Sequence, residues 1–300
     1  MIAFADPIPA ATRSAVVTHP DFQSRVVVGN DHHNRQTEIS ETLTGRSYLS
    51  WSAISTYLRC PLKYEFHYLD QFPEEFVSSN LIFGSAIHSA LEAYFNEHLA
   101  SGRVLGVERL LEVYHEEWSR ADLVAIQFGK SEDLASLGSL AERMLQAFVA
   151  SDLSRPTGSI IGIEEELRAP VIADCPDLLA RLDLMVETDE AFVVTDFKTA
   201  RSRWSSGDVN AAEGQLIVYH ELVRQFADKP IRLQFAVITK TKQPEVEIQP
   251  VSADPARIER IRQLIQRVWA SIQSGNFYPV PNAMNCPTCG YRDRCSQWTG

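Results

Sequence analysis

The hydrophobic positions of this chain change period partway along it. From Ser50 onward apolar residues recur at helical spacing, with Ile54, Tyr57, Leu58 and Leu62 on one side of residues 51–70. Ser50 and Ser52 are candidate N-caps for that helix. Pro61 must bend or split it, because proline lacks the backbone donor and its ring crowds the preceding turn. Helical patterns continue over 81–99, 106–126 and 133–152. The period then shortens. Residues 159–173, 179–188 and 190–197 are short, rich in β-branched side chains, and divided by turn signals at Asp174-Cys175-Pro176 and Thr188-Asp189-Glu190, which predicts a three-strand meander. A helix is predicted over 209–227, strands over 231–239 and 245–251, and an amphipathic helix over 254–274 that Asp254 and Pro255 open. Residues 1–47 lack sustained periodicity, apart from a short strand at Arg25–Val28, and are expected to form a flexible arm. Residues 48–300 are expected to form an α/β (α+β) domain, with a helical lobe over 100–155 inserted before a mixed sheet.

Composition narrows the class of protein. The chain has 300 residues, 45% of them hydrophobic, enough for one large domain or a domain with an accessory lobe. No apolar run reaches the roughly 18 residues of a membrane span, and the N-terminus lacks a signal-peptide pattern. The expectation is a soluble, cytoplasmic protein with no membrane partner. The net charge of −11 excludes a basic footprint over the whole surface. Charge is nevertheless local: Lys198-Thr199-Ala200-Arg201-Ser202-Arg203-Trp204 carries three positive side chains and no negative one, while acids gather at Glu108, Glu112, Glu116, Glu117 and Asp122. Carboxylates that hold a cation also contribute negative charge that the ion offsets.

The candidate chemistry lies in the meander. Asp183 stands in an apolar strand, and the next strand ends in Asp196-Phe197-Lys198-Thr199. Residues i and i+2 of a strand share a face, so Asp196 and Lys198 point the same way. If the two strands pair, Asp183 joins them, and two carboxylates and an ammonium converge. Phosphodiester hydrolysis needs such a set: hard oxygen ligands for Mg²⁺ or Mn²⁺, a metal-activated water, and a cation to orient that water and stabilise developing charge. Asp-x-Lys by itself is weak, since many surface hairpins carry it. Upstream, His88 follows Gly84 by one helical turn in Phe83-Gly84-Ser85-Ala86-Ile87-His88. Downstream, Gln215 and Tyr219 lie four apart on one helical face.

The ordered set Gly84-x-x-x-His88, Asp183, Asp196-x-Lys198-Thr199 and Gln215-x-x-x-Tyr219 resembles the RecB-like branch of the PD-(D/E)XK nucleases. The resemblance covers roughly residues 48–298. It implies a restriction-endonuclease-like core and a DNA-cleaving enzyme, an exonuclease on single strands or duplex ends. It further implies His88, Asp183, Asp196 and the Phe197 carbonyl as metal ligands and Lys198 as the water-positioning residue, with Gln215 and Tyr219 supporting the site or contacting substrate. Glu164, Glu165 or Glu166 is a candidate further contact, and the sequence does not choose among them. Arg201, Arg203 and Trp204 are candidate substrate contacts, the indole as a platform for an unpaired base. Trp51, Trp118 and Trp269 are read as core. The chain has no G-x-x-x-x-G-K-[ST] loop, so any unwinding belongs to a helicase or other repair or recombination partner.

Five cysteines form a second constellation. An odd number, with three inside ten residues near the C-terminus, argues for a metal site over a disulfide framework. Cys286-x₂-Cys289-x₅-Cys295 is one thiolate short of a tetrahedral set, and Cys60 is the natural fourth. Zinc and an iron–sulfur cluster both suit four thiolates. One cysteine before the nuclease motifs and three after them is similar to the iron–sulfur-stapled nucleases, including the AddB nuclease domain and CRISPR-associated RecB-like exonucleases. The segment from Leu49 to Tyr64 also resembles the opening of their domain. The resemblance implies a [4Fe–4S] cluster that staples the 280–300 tail to the first helix, with Cys175 left as a plain thiol. Two rival readings remain: a binding or assembly module with little cleavage, and an RNA-directed nuclease, for which no RNP motif speaks. Asp31-His32-His33 matches a fragment of another phosphoesterase signature, but the partner motifs that signature requires are missing.

Overall fold

The computed structural model describes residues 35–121 and 126–300. Pro61 acts as expected. Helix α2 (Trp51–Arg59) is capped by Ser50, whose hydroxyl accepts from the Ala53 amide, and it stops at Cys60. Pro61 then opens α3 (Pro61–Tyr64), which runs into a π turn over Glu65–Leu69. Upstream, the structure departs from the sequence expectation. Residues 35–47, read as part of the arm, hold helix α1 (Arg35–Thr44). Its pattern is weak, and long-range bonds hold it: Trp269 Nε1 donates to Gln36 Oε1 at 2.8 Å, and Thr37 Oγ1 donates to Asp177 Oδ1 at 3.3 Å. Tertiary contact is what stabilises most short helices. The strand expected at Arg25–Val28 and the Asp31-His32-His33 triplet lie outside the described residues.

The helical lobe consists of α4 (Ser79–Ser101), α5 (Val107–Arg120) and α6 (Leu134–Ala150). A two-residue strand β2 (Val77–Ser78) pairs with β3 (Ile126–Gln127) beside it. The predicted meander follows as β4 (Ser159–Ala169), β5 (Asp177–Glu187) and β6 (Phe192–Ala200), paired antiparallel. Helix α7 (Ser206–Val223) crosses over to β7 (Ile231–Thr239), which runs parallel to β6 from Phe192↔Ile231 to Ala200↔Thr239. Strand β8 (Val246–Val251) returns antiparallel at the edge, and α8 (Pro255–Gln273) closes the domain. The result is a mixed α/β architecture with helices on both faces of a mixed sheet. One core packs α2, α7 and α8 on the first face, and a second packs α4, α5 and α6 on the other.

One strand that local pattern did not reveal opens the site. The three-residue β1 (Tyr48–Ser50) pairs parallel with the start of β5, at Asp177–Leu179. Strand β6 pairs with the end of β5, from Leu184↔Thr195 to Glu187↔Phe192. Residues 180–183 lie on β5 between these two partners, while the opposite edge of the strand stays paired with β4. A cleft therefore opens in the sheet at Asp183.

Candidate active site

Each side chain of the cleft is placed by a local rule and a non-local one. Alternation along β6 sends Phe197 to the α4–α6 core and leaves Asp196 and Lys198 on the opposite face, beside Phe235 and α7. Asp183 lies where β5 changes sides: Leu182 packs in one core and Leu184 in the other, although two residues apart they should share a face. Strand β4, paired beside it, makes the same switch. Ile163 and Leu167 pack in opposite cores, and between them Glu164 adopts a left-handed backbone (φ 50°). That conformation costs a non-glycine residue roughly 1–2 kcal/mol, and such outliers gather at functional sites. Ile163 and Glu165 pair with Leu184 and Leu182, which brackets Glu164 opposite Asp183. Of the three consecutive glutamates, Glu164 is the one turned into the site.

His88 reaches the same point from α4. Its Nδ1 lies 3.4 Å from Asp183 Oδ2 and 3.8 Å from Glu164 Oε1. Among the described residues, His88, Glu164 and Asp183 are a group whose donor atoms all lie within 4.8 Å of one another, all three partly open to solvent. The β5–β6 ladder ends at Leu184↔Thr195, so the Phe197 amide turns to Asp183 and donates to Oδ2 at 2.7 Å. Within a strand the N–H and C=O of one residue face the same side, which directs the Phe197 carbonyl to the cleft as well.

Asp196 is almost completely buried, at 1% exposure. Lys198 Nζ contacts its Oδ2, yet that oxygen receives no donor in good hydrogen-bond geometry. Tyr219 supports the other side. Its hydroxyl accepts from Gln215 Nε2 at 2.7 Å and donates to the Arg181 carbonyl at 2.7 Å, with Asp196 Oδ1 at 3.3 Å. Arg181 belongs to the stretch of β5 that pairs with β4 but with neither β1 nor β6, and Tyr219 gives its carbonyl a donor. The pair spaced four apart on α7 thus supports both the carboxylate and the split in the sheet.

These groups perturb one another. Burial raises the Asp196 carboxyl to about 6, against the lowering pull of Lys198 and with a further rise from Asp183. Burial also acts to raise Asp183, but the His88 and Lys198 charges outweigh it and hold this carboxyl low. Burial opposes a charged His88, whereas Asp183 and Glu164 raise it well above its ordinary range. A crowded acidic site that draws an imidazole toward protonation also attracts a cation. One imidazole, hard carboxylate oxygens and a cleft-facing carbonyl fit a divalent metal such as Mg²⁺ or Mn²⁺.

The remaining expected substrate contacts divide. Arg201 is exposed and has no carboxylate within 4.0 Å among the described residues. Arg203 is engaged, with an ion pair to Glu247 and Glu245 3.8 Å away. Trp204 packs edge-on against Phe235, ring centroids 5.0 Å apart, and its half-buried ring joins the core. The tail comes back to α3. Cys60, Cys289 and Cys295 pack around Leu62, Phe66 and Tyr291. Burial raises the Cys295 thiol, and Cys60, Cys289 and Cys286 raise it further, so all four thiols lie within electrostatic reach. Cys175 is apart, buried in the main core, its thiol pushed up to about 12 by burial.

A mixed sheet between helices, split where two acids and a lysine meet, defines a nuclease core of the restriction-endonuclease type. Residues 48–296 match the family model of the PD-(D/E)XK nuclease superfamily, and the chain belongs to that superfamily. It is similar to the Gene 69 protein of Mycobacterium phage L5, 23% identical over 292 residues that span 86% of this chain and 99% of that protein. Its fold is also similar to the crystal structure of a candidate exonuclease from Eubacterium rectale, with a TM-score of 0.56 at 16% identity over 90% of this chain and 92% of the other. Among the described residues no helix is long and apolar enough to cross a membrane.

Proposed function

We propose that this protein is a divalent-metal-dependent deoxyribonuclease that removes nucleotides from single-stranded DNA or duplex ends. The observation that carries the reading is the meeting of His88, Glu164 and Asp183 with the buried Asp196–Lys198 pair in one cleft. His88, Asp183, Asp196 and the Phe197 carbonyl hold the metal, and Glu164 adds a carboxylate the sequence had left unchosen. Bound Mg²⁺ or Mn²⁺ supplies Lewis acidity at the phosphate and lowers the pKa of water. Lys198, fixed against Asp196, orients the attacking water and offsets developing negative charge. Gln215 and Tyr219 keep Asp196 and the open edge of β5 in place. The exonuclease assignment is supported by the name of the similar Eubacterium rectale protein and by the RecB-like order of the motifs. The absence of a phosphate-binding loop from the sequence leaves unwinding to a helicase or other repair or recombination partner.

Cys60, Cys286, Cys289 and Cys295 hold a [4Fe–4S] cluster in this reading. The Cys60, Cys289 and Cys286 thiols all act on the Cys295 thiol, which supports one shared centre for the four, and the resemblance of the cysteine order to that of the iron–sulfur-stapled nucleases favours a cluster over a zinc ion.

The test is digestion of end-labelled single-stranded DNA with Mn²⁺, with iron and zinc analysis of the same anaerobically purified protein. The parent shortens the strand stepwise, and Lys198→Ala stops cleavage while DNA binding, measured with Ca²⁺, persists. Cleavage that survives in Lys198→Ala overturns the assigned roles. Internal cuts from the start overturn the exonuclease part alone. A parent that binds but never cuts turns the assignment to a binding module.

A further inference from the structure

A cation that none of the motifs contains stands at the edge of this cleft. Lys240 follows β7 directly, and its backbone amide donates to the Ala200 carbonyl at the end of β6. Its ammonium lies over the Phe83 ring, 4.4 Å from the centroid, and donates to Asn80 Oδ1 at 3.2 Å. Both partners are on α4, the helix that carries His88. The side chain is half-buried, yet no carboxylate lies within 4.0 Å of it among the described residues. Glu132, the acid on this side, is engaged by Ser79 Oγ at 2.9 Å and the Gly129 amide at 3.1 Å. Burial pushes the Lys240 ammonium down to about 8; the more distant Glu132 opposes this and the Arg201 charge adds to it.

Among the described residues, two neighbouring cations are therefore held together without a salt bridge, in a chain whose net charge is −11. Burial of an uncompensated charge is costly, and a bound anion would compensate it. An ammonium has three donors, and Asn80 takes one. Along the helix axis, Phe83 precedes His88 by about 7.5 Å at 1.5 Å per residue. That is roughly two steps of a duplex strand at about 3.4 Å axial rise per nucleotide.

We propose that Lys240, with Arg201, forms a phosphate-binding step that holds the DNA strand one or two nucleotides from the bond being cut. This inference rests on the nuclease reading and extends it. Asn80 and the Phe83 face fix the ammonium, and Arg201 provides the exposed half of the step. Arg203 and Trp204, engaged by Glu247 and Phe235, stand outside it.

The experiment measures fluorescence anisotropy of a labelled single-stranded oligonucleotide with Ca²⁺ across a salt series, for the parent, Lys240→Gln and Lys240→Arg. Lys240→Gln weakens binding severalfold and lowers the slope of log K against log salt by about 0.7, the value for one phosphate contact to a single strand. Lys240→Arg retains the slope. In Mn²⁺ digestion Lys240→Gln raises KM more than it changes kcat. Its melting temperature without DNA stays level or rises, because an uncompensated charge has gone, whereas a merely structural lysine would lower it. An unchanged slope and KM in Lys240→Gln, with a parent that cleaves, overturns this inference and leaves the nuclease reading intact. A parent that neither binds nor cleaves overturns both.

Discussion

Asp196→Asn tests the electrostatics of the cleft, because stability and function should move in opposite directions. The substitution is nearly isosteric and removes only the ability to ionise. Burial lifts the Asp196 carboxyl from 3.8 to about 6, a rise worth on the order of 3 kcal/mol at 1.36 kcal/mol per unit. Because the folded state holds this proton more tightly than the unfolded chain does, the group's contribution is fully present below about pH 4. It is lost as pH rises through about 6. The asparagine variant has no such loss. In EDTA, the variant and the parent should therefore melt close together near about pH 4 and separate toward about pH 8, with the variant higher. For a chain of this size a gap on the order of 3 kcal/mol corresponds to roughly 5–10 °C. Mn²⁺ should then reverse the order at the higher pH, since it stabilises only the chain that binds it, and DNA cleavage should be absent in the variant. Differential scanning fluorimetry at both pH values, with and without Mn²⁺, reads all of this. A gap that is constant with pH, or a variant less stable than the parent at about pH 8 in EDTA, would refute the buried, metal-compensated carboxylate.

Three further outcomes follow from particular contacts. Tyr219→Phe leaves the Arg181 carbonyl and Gln215 Nε2 without their partner, so urea denaturation should show a loss of about 1–3 kcal/mol and cleavage should slow; a variant as stable as the parent would deny the hydroxyl its role in the split sheet. Gly214→Ala places a Cβ 2.0 Å from the Trp51 ring, where α7 meets α2, and forcing them apart should cost about 1–3 kcal/mol or more, read as a lower melting temperature with altered tryptophan emission. Cys289→Ala should lose bound iron and melt lower than the parent, because the proposed metal staple would link Cys60 to the distant tail; an iron-free variant as stable as the parent would remove the staple.

The parts of this protein that its sequence determines are those set by short-range geometry. Asp196 and Lys198 share a face because a strand has period two, and Gln215 and Tyr219 share one because a helix places residues four apart together. Pro61 broke its helix where its ring required, and the meander and crossover helix emerged from periodicity and turn residues. The sequence likewise shows three cysteines close together near the C-terminus, whereas Cys60 joins Cys289 and Cys295 only through the fold. What the sequence left open depends on contacts between segments far apart in the chain. Glu164 is indistinguishable from its two glutamate neighbours until the left-handed backbone and the pairing with β5 turn it toward Asp183. The three residues of β1 carry too little pattern to be seen, yet their pairing with Asp177–Leu179 leaves the stretch of β5 where the cleft opens. Helix α1 exists through its bonds to Trp269 and Asp177. Lys240 lies over Phe83, on the helix that carries His88, only because β7 runs parallel to β6. Local periodicity assigns each residue to a face of its own element; which faces meet is decided by packing energies summed over the whole chain.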